Sequence, residues 1–176
     1  MNIVVYNGST MIDGNLDSVA EILLNILKGN NVTYLKDELK GCANCRYCLE
    51  WGECYIKDSF PFKECVNADV IIILSPIFFF DFSSKTKAFI DRLYSVSLEN
   101  KLLTGVITSG SSFYLDSGID IVDEIFYRIT RYCGAYFINP LHIVTEDRLI
   151  EIDENIIENF VELIEEQYNE IKKNRQ

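Results

Sequence analysis

Four of the chain's six cysteines lie between positions 42 and 54: Cys42-Ala43-Asn44-Cys45-Arg46-Tyr47-Cys48, then Cys54. Three thiols at successive intervals of three residues, with a fourth close behind, can wrap one compact cluster. Cys-x2-Cys-x2-Cys recurs in 4Fe–4S ligation for that geometric reason. A structural zinc ion instead draws two Cys-x2-Cys pairs from separated segments. On spacing alone, zinc and unligated thiols remain alternatives. Met1–Tyr6 is a short apolar run with no basic residue ahead of it, so we expect a cytoplasmic protein in which metal or redox chemistry outweighs disulfides. Cys65 and Cys133 sit in apolar contexts and read as buried, inert thiols.

Three further segments carry groups that can hold a ligand. Gly8-Ser9-Thr10-Met11-Ile12-Asp13-Gly14-Asn15 offers two hydroxyls, two glycines and free amides just ahead of a helical pattern. A helix N-terminus with unpaired amides suits a phosphate monoester, although an ordinary capped turn has the same composition. No Lys or Arg occurs before Lys28, and Asp13 and Asp17 oppose an anion. Ser75-Pro76-Ile77-Phe78-Phe79-Phe80 gives a proline followed by consecutive aromatics. They suit a platform for a planar ring, and since three in a row cannot all point inward, some apolar surface is left over. Thr108-Ser109-Gly110-Ser111-Ser112 is small and rich in donors.

The elements that must position these loops follow from hydrophobic period. Apolar runs at Asn2–Tyr6, Asn31–Lys36, Asp69–Leu74, Leu102–Thr108 and Ala135–Val144 read as strands. Helical spacing marks Asn15–Lys28, Ser84–Ser97, Gly118–Tyr132 and Glu154–Lys173, and Gly41–Pro61 reads as irregular. Strands that are apolar on both faces and alternate with helices call for a parallel sheet covered on each side. We therefore expect a single α/β domain over residues 1–176, a three-layer sandwich with a five-stranded parallel sheet in the order 2-1-3-4-5, and a cysteine-rich loop at 41–58. Ligands of such a sheet sit beyond the carboxyl ends of its strands.

Formal net charge is −11, from 27 acidic and 16 basic residues, which argues against nucleic-acid binding. No apolar run approaches the roughly 20 residues a membrane span needs. Lys85, Lys87 and Arg92 are the candidates for a local basic patch that would admit an acidic redox partner. Neither G-x-G-x-x-G after the first strand nor G-x-x-x-x-G-K-[ST] is present. The acid cluster of a receiver domain is missing, and no cysteine has an arginine six positions later, as a cysteine phosphatase requires.

Taken together and in this order, the loops resemble the NADPH-dependent FMN reductase-like superfamily, and more narrowly its iron–sulfur flavoprotein branch. Gly8-Ser9 with Gly14-Asn15 matches the phosphate loop. Ser75-Pro76-Ile77-Phe78-Phe79 and Lys87-Ala88-Phe89-Ile90-Asp91-Arg92 match the flavin-ring loop and its following helix. Cys42, Cys45, Cys48 and Cys54, followed by Ile56-Lys57-Asp58, match the cluster motif. The resemblance implies a flavodoxin-like domain binding FMN and a 4Fe–4S cluster, as a homodimer or larger homo-oligomer with ferredoxin or NAD(P)H as electron donor. Ser9, Thr10, Gly14, Asn15 and Leu16 would hold the phosphate. Ser75, Pro76, Ile77, Phe78, Phe79 and Phe80 would line the ring, with Ser109 and Gly110 on its far side. The chain has Thr10-Met11 where the family usually has Pro-Arg, Leu16 where it usually has Thr or Ser, and Phe78 in place of a common tyrosine. The first two changes remove phosphate contacts, so weak FMN binding is expected.

The leading expectation is a flavin-dependent oxidoreductase or electron carrier with no catalytic side chain, the lone His142 being structural. Its rivals are an FMN or quinone reductase without a cluster, and a non-catalytic redox- or zinc-sensing module.

Overall fold

The computed structural model describes residues 1–145 and 149–174. In chain order the elements are β1 (Asn2–Asn7), α1 (Asn15–Ile26), β2 (Asn31–Leu35), α2 (Tyr47–Trp51), α3 (Phe62–Asn67), β3 (Val70–Phe78), β4 (Asp81–Phe82), α4 (Ser84–Leu93), β5 (Leu102–Ser109), α5 (Tyr114–Ser117), α6 (Ile119–Cys133), β6 (Tyr136–Phe137), β7 (Leu141–Val144) and α7 (Glu154–Lys173). The sheet runs β2-β1-β3-β5, with β6 and β7 both on the outer edge of β5. This is the expected five-strand order. The two additional strands are a short hairpin arm, β4, antiparallel to the end of β3, and a break in the last strand.

The break has a local cause. Leu103 pairs with Phe137 while Val106 pairs with Leu141, so β5 advances three residues as the edge strand advances four. One extra residue is bulged out beside Pro140, which has no amide to give to a ladder.

Both faces of the sheet are apolar, as the strand composition requires. Val4, Tyr6, Ile71, Ile73, Leu103 and Ile107 pack toward α3, α4 and α6 with Phe89, Leu93, Val122 and Phe126. Ile3, Val5, Val70, Ile72, Leu74 and Val106 pack toward α1 and α7 with Leu16, Val19, Leu23, Phe160 and Ile164. The residues of α1 and α7 that repeat every three to four positions are those that are buried. The helix expected over Ser84–Ser97 ends at Leu93, with Ser95 and Val96 donating back in tighter turns. No helix among the described residues is long and apolar enough to cross a membrane.

Gly105, in the middle of β5, lies where a Cβ would come 2.4 Å from the Ile73 carbonyl oxygen and 3.2 Å from the Phe126 ring. Gly105→Ala should therefore cost about 1–3 kcal/mol by overpacking, lowering the thermal midpoint by roughly 2–12 °C. A melting curve read by circular dichroism checks this, and an unchanged midpoint would contradict it.

Candidate functional site

The loops after β1, β3 and β5 converge on one cleft of about 290 Å³. Ser9, Met11, Asn15 and Leu16 form one wall, Pro76, Ile77 and Phe78 a second, and Thr108, Ser109, Gly110 and Thr145 a third. Asn7 shapes the first loop from beneath. It is fully buried; its side-chain oxygen accepts from the Ser9 amide at 2.9 Å, and its Nδ2 donates to the Leu16 carbonyl, Asp17 and the Tyr34 hydroxyl. The Met11 amide donates to Ser9 Oγ. Among the described residues the amides of Thr10, Asn15 and Leu16 have no acceptor, and the last two open α1. An anion placed there meets unpaired donors and the positive end of the helix.

The acidic residue expected to oppose that anion is turned to another task. Asp17 accepts from the Gly14 amide, closing a capping box, and Lys36 Nζ reaches its two oxygens at 2.5 and 2.6 Å while also donating to the Met11 carbonyl. Lys36 follows β2, remote from the loop in sequence, and sequence reading did not find it. Only the strand pairing Tyr6–Leu35 brings it alongside.

Ser75 is wholly buried and does not line the cleft. Its hydroxyl accepts from Thr86 Oγ1 at 2.8 Å, Thr86 Oγ1 lies 2.9 Å from Ser83 Oγ, and Ser83 Oγ donates to the Gly8 carbonyl at 2.7 Å. Ser83 also caps α4 by accepting from the Thr86 amide. These three hydroxyls join the phosphate-type loop, the proline-aromatic loop and the start of α4. Gly8 must be glycine here, since a Cβ would sit 1.9 Å from Thr86 Oγ1.

The aromatic run divides as expected. Phe78 reaches the cleft, Phe79 is 96% exposed, and Phe80 is exposed beside it. Phe79 and Phe80 form the two-residue tip of the β3–β4 hairpin, both at positive φ (52° and 69°), the turn geometry that favours Asn-Gly. Gly118 abuts the Phe80 backbone, where a Cβ would approach to 2.6 Å.

Cys42, Cys45, Cys48 and Cys54 line a second, small pocket of about 30 Å³ together with Tyr94, Ser95 and Arg92. Left-handed conformations at Asn44 and Arg46 bend the chain between successive cysteines. Burial pushes the Cys48 thiol up, and the nearby thiols of Cys42, Cys54 and Cys45 push it further. Among the described residues no three Cys, His, Asp or Glu side chains form a group able to hold a metal ion. Zinc binds at about 2.3 Å from each sulfur and so needs the four in mutual contact. A cluster interposes its own irons and sulfides, so its ligands need only line one pocket, as these four do. Cys65 is buried, its thiol pushed up to about 12 chiefly by that burial. Cys133 departs from expectation: it is only partly buried and faces an apolar groove of about 630 Å³ between α4 and α6 that abuts Cys42.

Arg92 anchors the cysteine loop. Its side chain is 1% exposed; Nη1 lies 2.6 Å from both Asp58 oxygens, Nη2 donates to the Ile56 carbonyl, and the guanidinium stacks 4.4 Å from the Phe60 ring centre. Of the basic residues singled out from sequence as a patch, Arg92 is spent internally and Lys87 pairs with Asp91 along α4.

A parallel sheet in this order, with its cleft at the carboxyl ends of β1, β3 and β5, defines a flavodoxin-like α/β protein. The chain belongs to the NADPH-dependent FMN reductase family, a class of flavin-dependent oxidoreductases, whose model matches residues 1–138. It is 26% identical to an iron-sulfur flavoprotein of Archaeoglobus fulgidus over 137 residues, covering 77% of this chain and 60% of the relative. Identity is 28% to an iron-sulfur flavoprotein of Methanocaldococcus jannaschii over 123 residues, covering 64% and 63%. The chain thus spans about three fifths of the length of these curated relatives. Oxidised flavodoxin 1 from Bacillus cereus superposes with a TM-score of 0.61 at 14% identity, covering 93% of this chain and 96% of that one, a likeness of fold alone.

Burial would raise the Asp58 carboxyl, but the hydrogen bond from Arg92 and the amides of Lys40 and Phe60 outweigh it and hold Asp58 below the usual carboxylate range. A depressed folded pKa gives stability that is present above the unfolded value of about 4 and lost as pH falls through the folded one. Asp58→Asn should cost about 3–5 kcal/mol at pH 7 and flatten the loss of stability below pH 4. Urea midpoints from pH 7 to 3 test both; parallel curves for the two proteins would contradict the assignment.

Proposed function

We propose that the chain binds FMN in the 290 Å³ cleft and a 4Fe–4S cluster on Cys42, Cys45, Cys48 and Cys54, and acts as an oxidoreductase passing electrons between an external donor and these centres. The observation that carries the flavin reading is the meeting of three sequence-remote loops on one cleft: an anion-accepting helix start, an apolar shelf and a small donor-rich turn. The flavin would supply two-electron chemistry and the cluster one-electron chemistry. The amides of Thr10, Asn15 and Leu16 and the hydroxyl of Ser9 would bind the phosphate. Pro76, Ile77 and Phe78 would bury one side of the ring and exclude water there, with Ser109 and Gly110 along its edge. No side chain at the cleft has to act as nucleophile.

The exposed apolar groove between α4 and α6, about 630 Å³, is the face assigned to a homodimer or larger homo-oligomer. A ferredoxin or NAD(P)H is the proposed donor, in the cytoplasm.

The test is a visible spectrum with iron and sulfide assays on protein purified without oxygen, then titrated with FMN. Flavin bands with about four irons per chain are expected. Flavin without iron would move the chain to the plain reductases, and neither, even with added FMN, would overturn the reading.

Lys36 supplies the compensation for Asp17 in that reading. Lys36→Met leaves the Asp17 carboxylate without its cation beside the phosphate position, so FMN affinity should fall about tenfold or more while riboflavin, without a phosphate, is held as before. Equal losses for both flavins would contradict this role.

A further inference from the structure

The chain has a single histidine, and the bulge in the edge strand decides where it points. Past the bulge His142 pairs with Ile107, and Ser109 pairs with Val144. Facing side chains in a sheet alternate, so a shift of one residue exchanges the faces. With the register of β6 carried through, Leu141 would stand beside Ile107 and His142 would face α1 and α7. With the bulge, Leu141 and Ile143 pack toward α1 and α7, and His142 shares the side of Ile107 and Ser109.

There His142 Nε2 lies 2.7 Å from Ser109 Oγ, and Ser109 Oγ donates to the Ser111 carbonyl at 2.9 Å. A serine hydroxyl has one proton and a carbonyl has none, so the nitrogen must be the donor to Ser109. The Ser109 carbonyl is held in turn by the amide of Thr145 at 2.8 Å. Ser109, Gly110 and Thr145 line the cleft, whereas His142 does not.

We propose that His142 is a positioning residue for the flavin ring: its Nε2–H commits the Ser109 proton to Ser111 and so holds the Ser109–Ser111 turn in shape at the cleft wall. This rests on the reading that the cleft takes a flavin. It makes two separable demands. The neutral imidazole is the Nε2–H tautomer, and loss of the donor weakens the ring, not the phosphate. Burial pushes the His142 pKa down, which keeps the ring neutral near pH 7.

The test uses the full chain at pH 8. Long-range 15N–1H spectra of its one imidazole report the tautomer without ambiguity, and fluorescence titrations give affinities for FMN and riboflavin. The expected results are Nε2–H in the unmodified protein and a mixed tautomer in Ser109→Ala. His142→Leu should weaken both flavins by a common factor of about ten, as one lost hydrogen bond would. His142→Gln, whose amide can donate in the same direction, should restore affinity to within about threefold of the unmodified protein. An Nδ1–H tautomer, unchanged binding in His142→Leu, or equal losses for Gln and Leu would overturn the proposal. If the unmodified protein binds neither flavin, the reading of the cleft fails and the ring role with it; the tautomer then still decides the His142–Ser109 clamp, Nε2–H supporting it and Nδ1–H refuting it.

Discussion

Arg92 has its guanidinium almost wholly withdrawn from water, a position that an isolated cation could not hold. It is tolerable because Asp58 meets it with both oxygens, the Ile56 carbonyl takes a further N–H, and Phe60 lies across its face. That interaction fixes the end of the cysteine loop to α4. The other end of α4 is fixed by Ser83 and Thr86, whose hydroxyls run through to Ser75 and to the Gly8 carbonyl. One ten-residue helix therefore carries the register of both sites, the cleft at its N-terminal cap and the cysteine pocket beside Arg92 and Tyr94. Within the cysteine loop itself, Tyr47 packs against Trp51 and Tyr55.

The anion end of the cleft obeys the same economy. An acidic chain with no basic residue in the first loop would repel a phosphate, yet the nearest carboxylate is used as a cap and neutralised by a lysine from the neighbouring strand's end. What remains for a ligand is a set of backbone donors, which bind by geometry and need no mobile side chain. Among the described residues no lysine or arginine lines the cleft, so a phosphate there would rest on neutral donors.

Much of this was legible in the residues. Five apolar runs alternating with helical patterns gave the sheet order, and the spacing of the four cysteines singled out the loop that lines the second pocket. The two motifs that looked separate, Ile56-Lys57-Asp58 and Lys87 through Arg92, turn out to be the two halves of one ion pair. Short-range patterns cannot show such a link, because the partners meet only after α4 docks on the sheet. For the same reason Lys36, Asn7 and Thr145 were missed. Ser75 read as a ring contact because of its position before Pro76, but its hydroxyl is consumed inside. The bulge at Pro140 was invisible in an apolar run, and with it the partner of His142.

The proposed FMN and 4Fe–4S centres would both take their positions from one helix, α4. The most direct measurement is an anaerobic reductive titration of protein loaded with FMN and iron–sulfide, counting electrons per chain in the unmodified protein and in Cys45→Ser. About three electrons per chain are expected, two for the flavin and one for the cluster, falling to about two in the variant. Two electrons in both proteins would contradict the two-centre proposal.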